Sequence, residues 1–193
     1  MINRIVAAAA LFLCPLSVHA ATFGAVAGKV TATPEKYLKD TVVYLKEVPG
    51  NFAPKTHAMD QKGMEFRPHI LTITVGDSVK FLNSDGVDHN VYTPDGDTYN
   101  LGVFPKGQSR EHQFTKAGVY TQLCSIHPEM LAYIFVGQNP YAAAVKKDGS
   151  FKIENVPPGT YQLAVWNPKL KAEDASVTVA AGKTASGGFA LAR

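Results

Sequence analysis

The chain has 193 residues, enough for one or two domains of ordinary size. Apolar residues make up 46% and charged residues 18%, so it can bury a core and does not have the composition of a disordered chain. A formal net charge of +3 falls far short of the basic stripe that a nucleic-acid-binding surface needs, which excludes that class.

In chain order, the first twenty residues read as a secretory signal. Arg4 gives a positive start, Ile5 to Leu13 form a short apolar run, and Val18-His19-Ala20 ahead of Ala21 offers a small-residue cleavage site. The run is well short of the roughly 20 residues of a membrane span. Leu13 before Cys14 argues against a lipoprotein signal, and no later segment is apolar enough to span. The mature chain is therefore expected to be exported, to the periplasm, and soluble. Removal of residues 1–20 takes Cys14 with it and leaves Cys124 as the sole cysteine. In an oxidising compartment a leftover thiol is a liability unless something occupies it, which is the first sign of a metal.

From there the chain reads as β throughout. Val26, Gly28 and Val30 alternate, and Thr41 to Leu45 form a second extended run. Leu71, Ile73 and Val75 alternate up to a turn at Gly76-Asp77, after which Val79 and Phe81 resume the pattern. Further strands are predicted over 112–115, 119–124, 132–136, 151–154, 161–166 and 175–179. Gly, Pro, Asn and Asp punctuate them, as in Pro94-Asp95-Gly96 and Pro157-Pro158-Gly159. Helical periodicity and tandem repeats are missing, and many short strands with regular turns predict β-sandwiches.

The chemistry concentrates in Cys124-Ser125-Ile126-His127-Pro128-Glu129-Met130, which offers a thiolate, an imidazole and a thioether within seven residues at a strand end. His89, in Asp88-His89-Asn90-Val91, supplies a second imidazole from another strand edge. Two imidazole nitrogens and one thiolate form the trigonal set of a type 1 copper site, with methionine as the weak axial donor. Zinc accepts three of the same donors, and a lone Cys-x-x-His or Met is often structural only, so the residues by themselves leave those readings open.

Residues from about Met59 to Gly137 resemble the cupredoxins, with the Cys-x-x-His-x-x-Met ligand loop of amicyanin length. Plastocyanin-like loops have more residues between His and Met. Phe66-Arg67-Pro68, Ile73 to Val79, Asn83-Ser84-Asp85, His89-Asn90-Val91 and Ala117 to Tyr120 carry the rest of the resemblance. It implies an all-β, Greek-key sandwich, one type 1 copper held by His89, Cys124, His127 and Met130, and a role in electron transfer. By the same matching, Asn90 should donate a backbone bond near the Cys124 sulfur and tie the two ligand loops together through Ser125, which tunes potential and rigidity.

Ala144 to Phe151 and Val156 to Tyr161 resemble the second half of a carboxypeptidase regulatory-like (transthyretin-like) β domain. The Gly-x-Val and Val-x-Leu strands with which such domains open stand far upstream, as Gly28-Lys29-Val30 and Val43-Tyr44-Leu45. The expected organisation is a copper domain over 49–140 inserted into a small sandwich made of 21–48 and 141–193. Trp166 is expected in the core of that second sandwich.

The remaining histidines carry less. His57 is expected in a solvated loop, His112 as a partly buried packing residue, and His69 as structural rather than an accessory ligand. Six histidines without a His-x-His pair cannot assemble a trinuclear oxidase cluster, and no nucleophile turn appears, so a non-enzymatic protein is expected. The leading expectation is an exported carrier of single electrons between redox proteins, a dehydrogenase or a c-type cytochrome among them, docking through Ile126, Pro128 and Leu131 around His127. The alternatives are periplasmic copper trafficking or storage, with Met59, Met64 and His69 helping to catch the ion, and a structural module with a vestigial site.

Overall fold

The computed structural model describes residues 22–193; the signal-like segment, with His19 and Cys14, lies outside the described residues. Among the described residues, sixteen strands form four sheets that pair into two sandwiches, with one 3-10 turn, Glu35–Asp40, beside them. Among the described residues no helix is long and apolar enough to cross a membrane.

One sandwich uses strands from 56 to 137. Its first sheet runs β4 (Phe66–Arg67), β3 (Thr56–Gln61), β6 (Ser78–Asn83), β9 (Ser109–Gln113). Its second runs β5 (Ile70–Thr74), β11 (Leu131–Gly137), β10 (Gly118–Leu123), β7 (His89–Thr93), β8 (Tyr99–Phe104). Strand β6 shows why: Val79, Phe81 and Asn83 are buried while Ser78, Lys80 and Leu82 are not, the period of two that puts one face on a core. Met59, Phe104, Phe114 and Ile134 complete that interior. At the turn after β5, Gly76 takes φ +96, and the buried Asp77 carboxylate collects the backbone N–H groups of Thr74 (2.9 Å) and Lys55 (2.7 Å).

The other sandwich pairs β1 (Gly24–Ala32), flanked by β13 (Ser150–Val156) and β16 (Thr184–Leu191), with the sheet β12 (Ala142–Ala144), β2 (Val42–Leu45), β14 (Gly159–Trp166), β15 (Ala175–Val179). Strands β1 and β16 run parallel in close approach. A Cβ on Gly28 would stand 1.5 Å from the Gly187 carbonyl oxygen, so only glycine fits there. Val26, Val30, Leu45, Phe151, Ile153 and Leu163 fill the core.

The sandwiches meet at Val42, Ile70 and Phe135, with Tyr44 on Phe135 (ring centroids 4.8 Å) and Trp166 edge-on to Tyr133 (5.1 Å). Trp166, expected in the core of its own sandwich, is instead half-buried at this junction. Its place at the end of β14 points it toward the neighbouring sheet, and alternation alone does not distinguish a core from a seam. Strand β8 was not legible because it is mostly exposed and carries Gly102 at φ +73. Strand β16 was hidden by its Gly187-Gly188 pair, which interrupts the apolar alternation.

Candidate metal centre

Cys124 follows β10 directly and His89 opens β7; the two strands pair antiparallel through Leu123 and Tyr92, which brings their ends together. The loop from Cys124 to β11 is closed by the Met130 N–H donating to the His127 carbonyl (3.0 Å), so the chain turns inside one short loop. The outcome is that one donor atom each of His89, Cys124 and His127 lies within 4.8 Å of the others. The Nδ1 atoms of His89 and His127 face each other at 3.0 Å, and Cys124 Sγ stands 3.7 Å from His127 Nδ1. His89, Cys124 and Met130 are buried, and Met130 shares a core cluster with Cys124; His127 is half-buried at the rim.

This donor set fits copper on its chemistry. Two facing imidazole nitrogens share a single proton when neutral, since one of them must donate to the other. A cation placed among the two nitrogens and the sulfur satisfies all three donors at once. Two imidazole nitrogens, one thiolate and a buried thioether in the same core cluster are a donor set that would suit copper in both oxidation states. None of the three converging groups is a carboxylate.

A second layer of bonds holds these donors. The Asn90 N–H donates to Cys124 Sγ (3.3 Å), and Asn90 Oδ1 accepts the Ser125 N–H (3.2 Å), so the tie between the loops uses the Ser125 backbone. His89 Nε2 meets Asp85 Oδ2 at 2.8 Å. Burial pushes the Asp85 carboxyl up, but the N–H groups of Met64 and Gly63 and the His89 ring outweigh it and hold it down at about 2. Asp85 received no role from the sequence. The available signal was its position four residues ahead of His89, in a turn that ends β6.

The other histidines are engaged elsewhere. His69 Nε2 pairs with Asp40 Oδ1 (2.7 Å) across the junction, edge-on to Tyr133, and is not among the three converging donors. His57 is not in a solvated loop: it lies on β3, half-buried, with Nε2 on Asp77 Oδ2 (2.8 Å). His112 is half-buried against the Tyr99 ring (centroids 3.9 Å), and burial lowers its pKa. Met59 is fully buried in the core, unavailable for catching an ion. Ile126 and Leu131, on either side of His127 in the chain, are exposed apolar residues; so are Val87, two residues before His89, and Val103, paired with Asn90, which alternation did not single out.

Residues 53–137 match the family of copper binding proteins, plastocyanin/azurin family, and residues 136–187 match polysaccharide lyase family 4, domain II. No curated protein matches the chain. Similar solved structures include a reduced amicyanin variant (29% identity over 41% of this chain and 79% of that one, TM-score 0.39). A purple cupredoxin from Nitrosopumilus maritimus is 28% identical over 42% of this chain and 98% of that one, TM-score 0.38. The copper-containing nitrite reductase from Thermus scotoductus is 27% identical over 49% of this chain, which spans 24% of that enzyme, TM-score 0.41. The stretch 53–137 thus matches the copper binding proteins of the plastocyanin/azurin family, its donor set fits one copper, and a second β domain accompanies it.

Proposed function

We propose that the protein is an exported, non-enzymatic type 1 copper protein that passes single electrons between redox partners. His89, Cys124, His127 and Met130 hold the ion, and Asn90 and Ser125 brace the thiolate and its loop. The observation that carries this is the convergence of His89, Cys124 and His127, largely buried at one end of a plastocyanin/azurin-type domain. Bound copper supplies a one-electron couple between Cu(I) and Cu(II). The chain's own contribution is rigidity: donors fixed by β7, β10 and a closed loop change little between charge states, which keeps reorganisation small. His127, half-buried among the exposed loop residues Ile126, Pro128 and Leu131, offers the edge through which a docked partner exchanges the electron. That partner is an exported dehydrogenase or c-type cytochrome, met in the periplasm after the first twenty residues are removed. The copper domain, 49–140, interrupts a second sandwich made of 21–48 and 141–193, a division supported by the two separate core clusters.

The test is visible spectroscopy and voltammetry of the copper-loaded protein. An intense thiolate-to-copper band with fast reversible cycling is expected, and Met130→Leu should keep the colour and raise the potential, because the thioether sulfur would help to stabilise Cu(II). A colourless complex that binds only Cu(I) would sink the carrier reading in favour of trafficking or storage.

A further inference from the structure

Strands β3 and β4 are joined by the two-residue turn Gly63-Met64, closed by the Lys62 N–H donating to the Glu65 carbonyl (3.0 Å). Both turn residues are left-handed, Gly63 at φ +71 and Met64 at φ +59. That is the type I′ geometry, in which glycine or asparagine is relaxed and methionine is not. The strained turn faces a carboxylate. Gly63 N–H donates to Asp85 Oδ1 (2.6 Å) and Met64 N–H to Asp85 Oδ2 (3.0 Å), two successive amides forming an anion-holding nest. The same Oδ2 meets His89 Nε2 at 2.8 Å, and His89 is fully buried.

The loop that carries Asp85 is itself pinned. Asn83 Oδ1 accepts the Asp85 N–H (2.9 Å), while Asn83 Nδ2 donates to the carbonyls of Val87 (2.9 Å) and Phe104 (3.0 Å). The turn belongs to the four-stranded sheet and His89 to the five-stranded one, so the carboxylate joins the two layers of the sandwich at the donor end.

Building on the reading of His89 as a copper ligand, we infer that Asp85, seated in the Gly63-Met64 turn, is a positioning residue for His89. It fixes the Nε2–H tautomer and the ring orientation that presents the Nδ1 lone pair to Cys124 and His127. An ionised carboxylate can only accept, so Nε2 must donate to it, and Nδ1 is left free of its proton. Carboxylate, imidazole and metal in series form the arrangement in which the outer group also raises the basicity of the ligand. Met64 keeps a disfavoured backbone because relaxing it would withdraw an amide from that carboxylate.

Two measurements on the full chain test this. In the metal-free protein, long-range proton–nitrogen NMR of the imidazoles should show His89 as a single Nε2–H tautomer with a slowly exchanging proton. Asp85→Ala should turn it into a mixture with fast exchange, and Met64→Gly, which retains the amide, should leave it unchanged. With copper, competition against a Cu(I) chelator should show affinity falling about 10–100-fold in Asp85→Ala. A single Nε2–H tautomer in Asp85→Ala, or affinity within about twofold of the parent, overturns the inference. If Asp85→Ala does not fold, the isosteric Asp85→Asn carries the same test, with an intermediate loss expected and parental affinity overturning it. Failure of the unsubstituted chain to bind copper would instead remove the ligand reading, and the NMR of the metal-free chain would still decide whether Asp85 sets the tautomer.

Discussion

The core cluster of the flanking sandwich consists of Val, Leu and Ile with Phe151 and Phe189, and the buried polar residues of that half, Asp40 and Thr41, stand just before Val42 at the junction. The interior of the copper sandwich also buries Gln61, Asn83, His89, Asn90, Thr93 and Gln122. A buried polar group left without a partner costs about 1–3 kcal/mol, so each of these is a liability unless bonded. Three of the six are bonded toward the donor end: Asn83 to Val87 and Phe104, Asn90 to Ser125 and Asn100, His89 to Asp85. Among the described residues, only Asp60 Oδ1 and Gln61 Oε1 are buried side-chain polar atoms without a hydrogen-bond partner, and both lie in the copper sandwich, on the strand that leads into the Gly63-Met64 turn. The flanking sandwich is held mainly by filled volume, with Asn167 tying down its 3-10 turn through Tyr37 and Thr41, and the copper sandwich by volume plus a bonded network that aims side chains at the donor end.

The sharpest separation of the two comes from Cys124→Ser. It should abolish the intense visible band outright while leaving both sandwiches folded, because the Asn90 N–H that meets the sulfur can meet a hydroxyl; absorption and thermal melting check this. A serine variant that stays blue means the thiolate is not a ligand. Next in size is Leu163→Ala, fully buried in the flanking core, which should cost about 2–5 kcal/mol in urea unfolding through the cavity it leaves. The band of the folded fraction should not move. A changed band would show that the junction at Val42, Ile70 and Phe135 transmits strain to the donor loop.

A smaller effect tests the network directly. Burial pushes the Asp77 carboxyl up, but the N–H groups of Thr74 and Lys55 and the His57 ring outweigh it, so its folded pKa lies below the ordinary 3.8. Its contribution to stability is therefore present above that value and fades as pH falls through the lower, folded one. The difference in urea midpoint between the parent and Asp77→Asn should accordingly shrink below about pH 4. A difference that is flat with pH means the carboxylate is not held as an anion.

Smallest is His69→Ala, which removes the bond to Asp40 across the junction. The side chain of His69 is 37% exposed, so a cost of about 1 kcal/mol or less is expected, with one copper per chain and an unchanged spectrum. Titration with Cu(I) against a chelator reads the stoichiometry. A clear drop would favour trafficking, with His69 and Met64, which line one cleft of about 700 Å3 beside Met130, taking part in uptake.

Composition, a sole cysteine after the signal-like segment and the close spacing of Cys124, His127 and Met130 made the β class and three of the four proposed donors legible, because strand alternation and loop spacing are local properties of the chain. His89 could be joined to them only by the chemistry of a two-imidazole, one-thiolate set and by the resemblance, since it stands 35 positions before Cys124, beyond the reach of local spacing. Which carboxylate meets its ring was decided in three dimensions. Asp85, Gly63 and Met64 come from a turn and a crossover in different sheets, and their meeting depends on how the layers stack. The same holds for Trp166 and His57. Alternation says that a side chain faces inward, but whether it meets a core, a seam or a buried carboxylate depends on the surface packed against it, and that surface belongs to a distant part of the chain.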